Sequence, residues 1–173
     1  MKYVALLRGV NVGGINMKMA DVRKTFQALG FDDVKTVLAS GNVLFASERA
    51  DRVEVKADIE RALAHDFGYE AWIVLLDVDE MSAVAAAYPF DPERAGWHPY
   101  VVFGSDPAIL DELAAVGPLD PALERTQLGD GVLYWEVERG HTLQSVFGKT
   151  TGKKRYKSST TTRNLRTVRR ILG

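Results

Sequence analysis

At 173 residues, 46% apolar and 26% charged, the chain suits one large domain or two small ones and lacks the low-hydrophobicity, high-charge signature of disorder. It has no cysteine, which excludes disulfides, thiolate nucleophiles, zinc–thiolate centres and iron–sulfur clusters. The net charge of −1 hides a separation: residues 149–173 carry nine basic and no acidic side chains, leaving 13 basic against 23 acidic before them.

In chain order, residues 3–7 form a short apolar run that Arg8 ends, too short for a secretion signal and read as a buried strand. Met19, Val22, Phe26 and Leu29 recur at helical spacing, and Gly30 stops that helix. Two β-rich runs, residues 34–38 and 43–45, flank the turn signal Ala39-Ser40-Gly41-Asn42. Val55, Ile59, Ala62 and Leu63 mark a second helix closed by Gly68, and residues 71–76 read as a strand. The order strand, helix, strand, strand, helix, strand is the split βαβ pattern of a ferredoxin-like unit.

Asp77 and Glu80 resemble a capping box opening an alanine-rich helix to Ala87, and residues 88–98 read as a connector. The pattern then restarts. Residues 100–103 form a strand, and Asp106-Pro107 opens a helix lined by Ile109, Leu110, Leu113 and Val116. Gly117-Pro118 ends it, and residues 123–128 and 132–137 flank a Gly129-Asp130-Gly131 hairpin. A helix is expected to start within residues 141–147, and a last one has Leu165, Val168 and Leu172 on one face with Thr161 or Thr162 as its cap. The expected fold is a duplicated α+β plait: two ferredoxin-like subdomains of βαββαβ type in tandem, with antiparallel or mixed sheets and helices on one face. Its divisions are residues 1–76, a helix and connector at 77–98, and residues 99–173 with the basic tail and final helix.

Three segments resemble a known family: Leu6-Leu7-Arg8-Gly9-Val10-Asn11-Val12-Gly13-Gly14, Ala39-Ser40-Gly41-Asn42-Val43-Leu44-Phe45 and Thr161-Thr162-Arg163-Asn164-Leu165-Arg166-Thr167-Val168. With the helix opening Met19-Ala20-Asp21-Val22-Arg23 and its close Leu29-Gly30-Phe31, they are similar to the bacterial domain-of-unknown-function 1697 family. The resemblance implies paired ferredoxin-like subdomains and brings no established activity. Where that family carries tryptophan, this chain has Leu165.

Arg8, Asn11, Gly13 and Gly14 leave a strand and enter a loop. Glycines there either make a sharp strand-to-helix connection or let backbone N–H groups cradle an anion. Ser40, Gly41 and Asn42 are either hairpin-turn residues or part of the same polar patch, because pairing of the first and third strands brings these loops together. Gly148-Lys149-Thr150 is rejected as a phosphate loop, because Leu143 stands where the motif needs glycine. Lys153, Lys154, Arg155, Tyr156 and Lys157 interleave an aromatic with four cations, and Arg163, Arg166, Arg169 and Arg170 follow, with 163, 166 and 170 expected on one helix face. That composition suits phosphate neutralisation with base stacking, or a solvated helix face. His65, His98 and His141 hold no metal-ligand spacing, so no metal or cofactor is expected.

Three functions stay open. The first is a binding module for nucleic acid or a phosphate-bearing small molecule, using Arg8, Asn11, Gly13, Gly14, Ser40, Gly41, Asn42, Arg163 and Asn164 with Lys153, Lys154, Arg155, Tyr156, Lys157, Arg166 and Arg170. The second is an enzyme for a small anionic metabolite, with Arg8, Ser40, Asn42 and Arg163 lining a pocket; no general base stands out, so no catalytic residue is assigned. The third is a protein-interaction domain. A cytoplasmic setting without membrane insertion is expected, and the sequence does not fix an oligomeric state.

Overall fold

Residues 3–7 are all buried, as a strand covered on both faces requires. In the computed structural model, which describes residues 1–9 and 16–173, they belong to β1 (Lys2–Leu7). The chain divides into two compact units, Met1–Met81 with Leu172 and Ser82–Ile171 with Gly173.

The first unit continues with α1 (Met19–Ala28), β2 (Asp32–Val37), β3 (Asn42–Ala46), α2 (Arg52–Phe67) and β4 (Ile73–Asp77). Its sheet has the order β2-β3-β1-β4 with every neighbour antiparallel. Odd-numbered residues of β1 (Tyr3, Ala5, Leu7) face Val22 and Phe26 of α1 and Val55, Ile59 and Leu63 of α2 in one core cluster. Phe31 and Phe45 pack within it with ring centroids 4.5 Å apart.

The ends of α2 follow from single residues. Asp51 accepts hydrogen bonds from the Val53 and Glu54 amides at 3.0 and 3.2 Å, satisfying two donors that the first turn leaves orphaned. Gly68 closes the helix at φ +66°, a conformation costly for a residue with a Cβ. Asp51→Ala should lower stability by about 1 kcal/mol, read as a reduced midpoint in urea melts; an unchanged midpoint would show that the cap contributes nothing.

The expected capping box is present. The Glu80 amide donates to Asp77 Oδ1 at 2.7 Å, and the Asp77 amide donates to Glu80 Oε2 at 2.8 Å, opening α3 (Val78–Ala86). Arg52 spans the pair, reaching Glu80 at 2.9 Å and Asp77 at 3.1 Å.

The second unit holds β5 (Trp97–Gly104), α4 (Pro107–Ala114), β6 (Glu124–Leu128), β7 (Val132–Glu138), α5 (Val146–Thr151), α6 (Lys154–Lys157), β8 (Thr160–Asn164) and α7 (Leu165–Leu172). Its sheet, β6-β7-β5-β8, repeats the strand order of the first and is again antiparallel throughout. The fold is therefore α+β, two ferredoxin-like units in tandem. Asp106 caps α4 as expected, accepting from the Ile109 amide at 3.2 Å. Ile109, Leu110 and Leu113 of α4 and Phe147 of α5 pack over Val102, Leu133, Trp135 and Val137.

The second unit departs from the sequence reading at three places. The connector ends at Gly96, because Trp97 and His98 already pair with β7. Residues 160–164 are a strand, so Thr161 and Thr162 cap nothing; Asn164 caps α7, accepting from the Arg166 amide at 2.9 Å. The buried face of α7 is Leu165, Val168 and Ile171, whereas Leu172 is only half-buried. Among the described residues no helix is long and apolar enough to cross a membrane.

Candidate functional site

In the first unit, β1 runs antiparallel to β3 with Leu6 opposite Asn42, and the Leu7 amide donates to the Gly41 carbonyl at 2.8 Å. The strand pairing thus sets the end of β1 beside the 38–41 turn, and Arg8 beside Ser40 and Gly41. Asn11, Gly13 and Gly14 lie outside the described residues. Ser40 is exposed, whereas Asn42 is fully buried and acts within the turn: its Nδ2 donates to the Val37 carbonyl and to Ser40 Oγ, each at 2.8 Å. Gly41 holds φ +84°, which the reversal after β2 requires.

Two aromatic residues of this neighbourhood were not legible as site residues. The Arg8 amide donates to the Trp72 carbonyl at 3.4 Å, and the Arg8 guanidinium lies 5.9 Å from the Trp72 ring centroid. Tyr69 keeps its hydroxyl buried without a hydrogen-bond partner among the described residues. Burial raises its pKa, and the Arg8 charge offsets part of that rise. The signal available was topological: β4 pairs antiparallel with β1, Leu7 opposite Ile73, so residues just before β4 must meet those just after β1.

The basic segment is built into the second unit rather than free. β8 pairs with β5 from Tyr100↔Asn164 to Gly104↔Thr160, and α7 follows it directly. Arg163 therefore stands in a strand, not on the face of α7 that carries Arg166 and Arg170. It is 6% exposed, and its Nη1 donates to Thr161 Oγ1 at 2.6 Å and the Thr162 carbonyl at 3.1 Å. Burial pushes its guanidinium down to about 10. Asn164 is half-buried and committed to the helix cap.

Among the described residues, Arg155 and Arg169 of the segment meet carboxylates. Arg155 grips Glu112 through Nε at 3.1 Å and Nη2 at 2.6 Å, which lowers the Glu112 pKa. Arg169 lies 3.5 Å from Glu93. Tyr156 is half-buried against the α4 core cluster, with the Arg155 guanidinium 5.8 Å from its ring centroid. Lys157 is exposed on α6. Lys149, Lys153, Lys154, Arg166 and Arg170 are exposed, and among the described residues none of them enters an ion pair. No three His, Asp or Glu side chains among the described residues group as metal ligands.

Comparison with known proteins agrees with the fold. The chain superposes on the conserved bacterial protein SP0830 from Streptococcus pneumoniae with a TM-score of 0.81 and 23% sequence identity, covering 99% of this chain and 96% of that one. At that identity the likeness establishes the architecture alone. No curated protein matches the chain. A family model described as "Protein of unknown function (DUF1697)" matches residues 1–134. With more than half of its length covered by that model, the chain belongs to the DUF1697 family.

Proposed function

We propose that the chain binds a phosphate-bearing polyanion, nucleic acid foremost, through the cationic surface of its second unit. One observation carries this reading: Lys149, Lys153, Lys154, Arg166 and Arg170 stand exposed without an ion pair among the described residues, in a stretch that has no carboxylate of its own. The missing carboxylates set this stretch apart, not unpaired cations alone, since Lys2, Lys18, Arg23, Lys24, Lys35 and Arg139 are also exposed without an ion pair among the described residues. Arg49, Arg52, Arg61, Arg94 and Arg125 each contact a carboxylate. A phosphate backbone gives such cations partners and releases its condensed counterions in doing so, an entropic gain that falls as salt rises. A chain without cysteine suits the reducing cytoplasm in which this reading sets it.

The test is fluorescence anisotropy with a labelled oligonucleotide across a salt series of about 50 to 200 mM. Affinity should fall log-linearly with salt, and Arg166→Gln should reduce the slope by about one. Absence of binding at the lowest salt, or an affinity indifferent to salt, would overturn the reading.

A further inference from the structure

We propose that the second unit takes unpaired bases, not duplex, on an aromatic surface formed by His98 and Tyr100 between Arg139 and Arg166. This single-strand preference presupposes that the cationic surface described above binds phosphates at all.

Alternation along β5 sets two residues apart. Trp97 and Pro99 are buried on one face; His98 and Tyr100 project from the other face and are only half-buried. The ring centroids form a row: His98 to Tyr100 is 5.5 Å, Tyr100 to Trp135 is 5.2 Å, and Trp135 to Phe147 is 4.9 Å. The first two steps are tilted by 35° and 30°, between the stacked and edge-to-face arrangements. Trp135 and Phe147 are 3% and 0% exposed, so the inner half of the row belongs to the core under α4, which holds the outer rings in place. Rings ordered in this way lose little further entropy when a base stacks on them.

Both flanks of the outer rings are cationic. Asn164 lies opposite Tyr100, and Arg166 follows with its amide bound to Asn164 Oδ1. On the other side Val137 lies opposite His98, and Arg139 follows with its amide donating to the Gly96 carbonyl at 2.9 Å. Arg139 and Arg166 are exposed, and among the described residues neither enters an ion pair. Burial first, then the charges of Arg139 and Arg166, hold the His98 imidazole below its ordinary pKa. At neutral pH it is therefore an uncharged ring, which stacks without desolvating a charge. Aromatic faces flanked by guanidinium groups are the general device for single strands, whose bases offer open π-faces; in a duplex those faces are already stacked.

The experiment uses the full chain and five labelled probes: oligo-dT, oligo-rU, a DNA duplex and an RNA duplex of the same charge, and heparin as a polyanion without bases. Single strands should bind at least tenfold tighter than the duplexes. His98→Ala and Tyr100→Leu should each weaken single-strand binding roughly five- to a hundredfold and leave heparin binding unchanged. The dT and rU arms tell which sugar is preferred. Should Tyr100→Leu fail to fold, His98 itself reports: its ring-proton resonance should move upfield on addition of oligo-dT. Loss of all binding, heparin included, refutes the polyanion reading. Heparin binding with equal affinity for strand and duplex, or a His98 resonance that stays still under saturating oligo-dT, refutes base stacking alone.

Discussion

Replacing Arg94 and Arg125 together by methionine should destabilise the protein by about 3–5 kcal/mol, because it strands a buried carboxylate. Glu136, in the middle of β7, is 1% exposed. Arg94 Nη1 lies 3.2 Å and Arg125 Nε 2.7 Å from the same oxygen, Glu136 Oε2. Both arginines spread over aromatic rings, Arg94 3.6 Å from the Trp97 centroid and Arg125 4.9 Å from that of Phe90, so each guanidinium is fixed before it meets the carboxylate. The two partners are partly exposed, and an exposed ion pair alone is worth little. The large effect comes from the carboxylate, which has nowhere to find water once they are gone. A triple variant that also carries Glu136→Met should regain most of the loss. Urea melts of the two variants and the parent check this; equal stability of the double and triple variants would mean that Glu136 is not the origin of the effect.

Gly148→Ala should cost about 3 kcal/mol or more, and Gly152→Ala should be neutral or stabilising by about 0.4–1 kcal/mol. A Cβ on Gly148 would run into the carbonyl oxygen of Thr142, with the carbonyl carbon 2.9 Å away. That obstacle is backbone, tied into the turn where the Gln144 and Ser145 amides donate to the His141 carbonyl at 3.1 and 2.8 Å. It cannot swing aside as a side chain would. Gly152 has the ordinary right-handed φ of −76°, and a Cβ there meets atoms no closer than 3.5 Å. The substitution then acts mainly by narrowing the unfolded ensemble. Thermal melts of the two variants separate the cases. A mild effect at 148 would mean that the 141–145 turn yields, and the close approach would no longer account for the glycine.

The same comparison explains why Gly148-Lys149-Thr150 invites a phosphate-loop reading. The glycine is there because a carbonyl passes close by, and the sequence does not record the carbonyl's position. Strands with a clear hydrophobic pattern were legible: the run ending at Leu7, the pair around Ser40-Gly41-Asn42, and the hairpin around Gly129-Asp130-Gly131 all fall where pattern and turn chemistry put them. β8 was not, because Thr160, Thr161, Thr162, Arg163 and Asn164 contain no apolar residue, and an edge strand shows its character only through its neighbour β5. Missing it left a folded strand inside the basic tail ahead of the expected final helix, and placed Arg163 among surface cations when it is buried. The placement of the end of β1 beside the Ser40–Gly41 turn was legible because antiparallel pairing of first and third strands decides it. The part played by Trp72 and Tyr69 was not, since it depends on β4 lying against the outer side of β1. The row from His98 to Phe147 joins four residues scattered over fifty positions of chain: the register of β5 on β7 sets Tyr100 opposite Trp135, and the packing of α5 brings in Phe147.

The place of β8 in the chain bears on how the protein comes into being. The first sheet has all four strands once residue 77 has emerged from the ribosome, so it can close while synthesis continues. The second sheet must wait for residue 164, because the strand that covers one side of β5 is the last to be made. During that interval β5 offers a bare row of backbone donors and acceptors to any passing strand. A nascent chain stalled before Thr160 is therefore the form most exposed to mispairing, and the one for which a chaperone has most to protect.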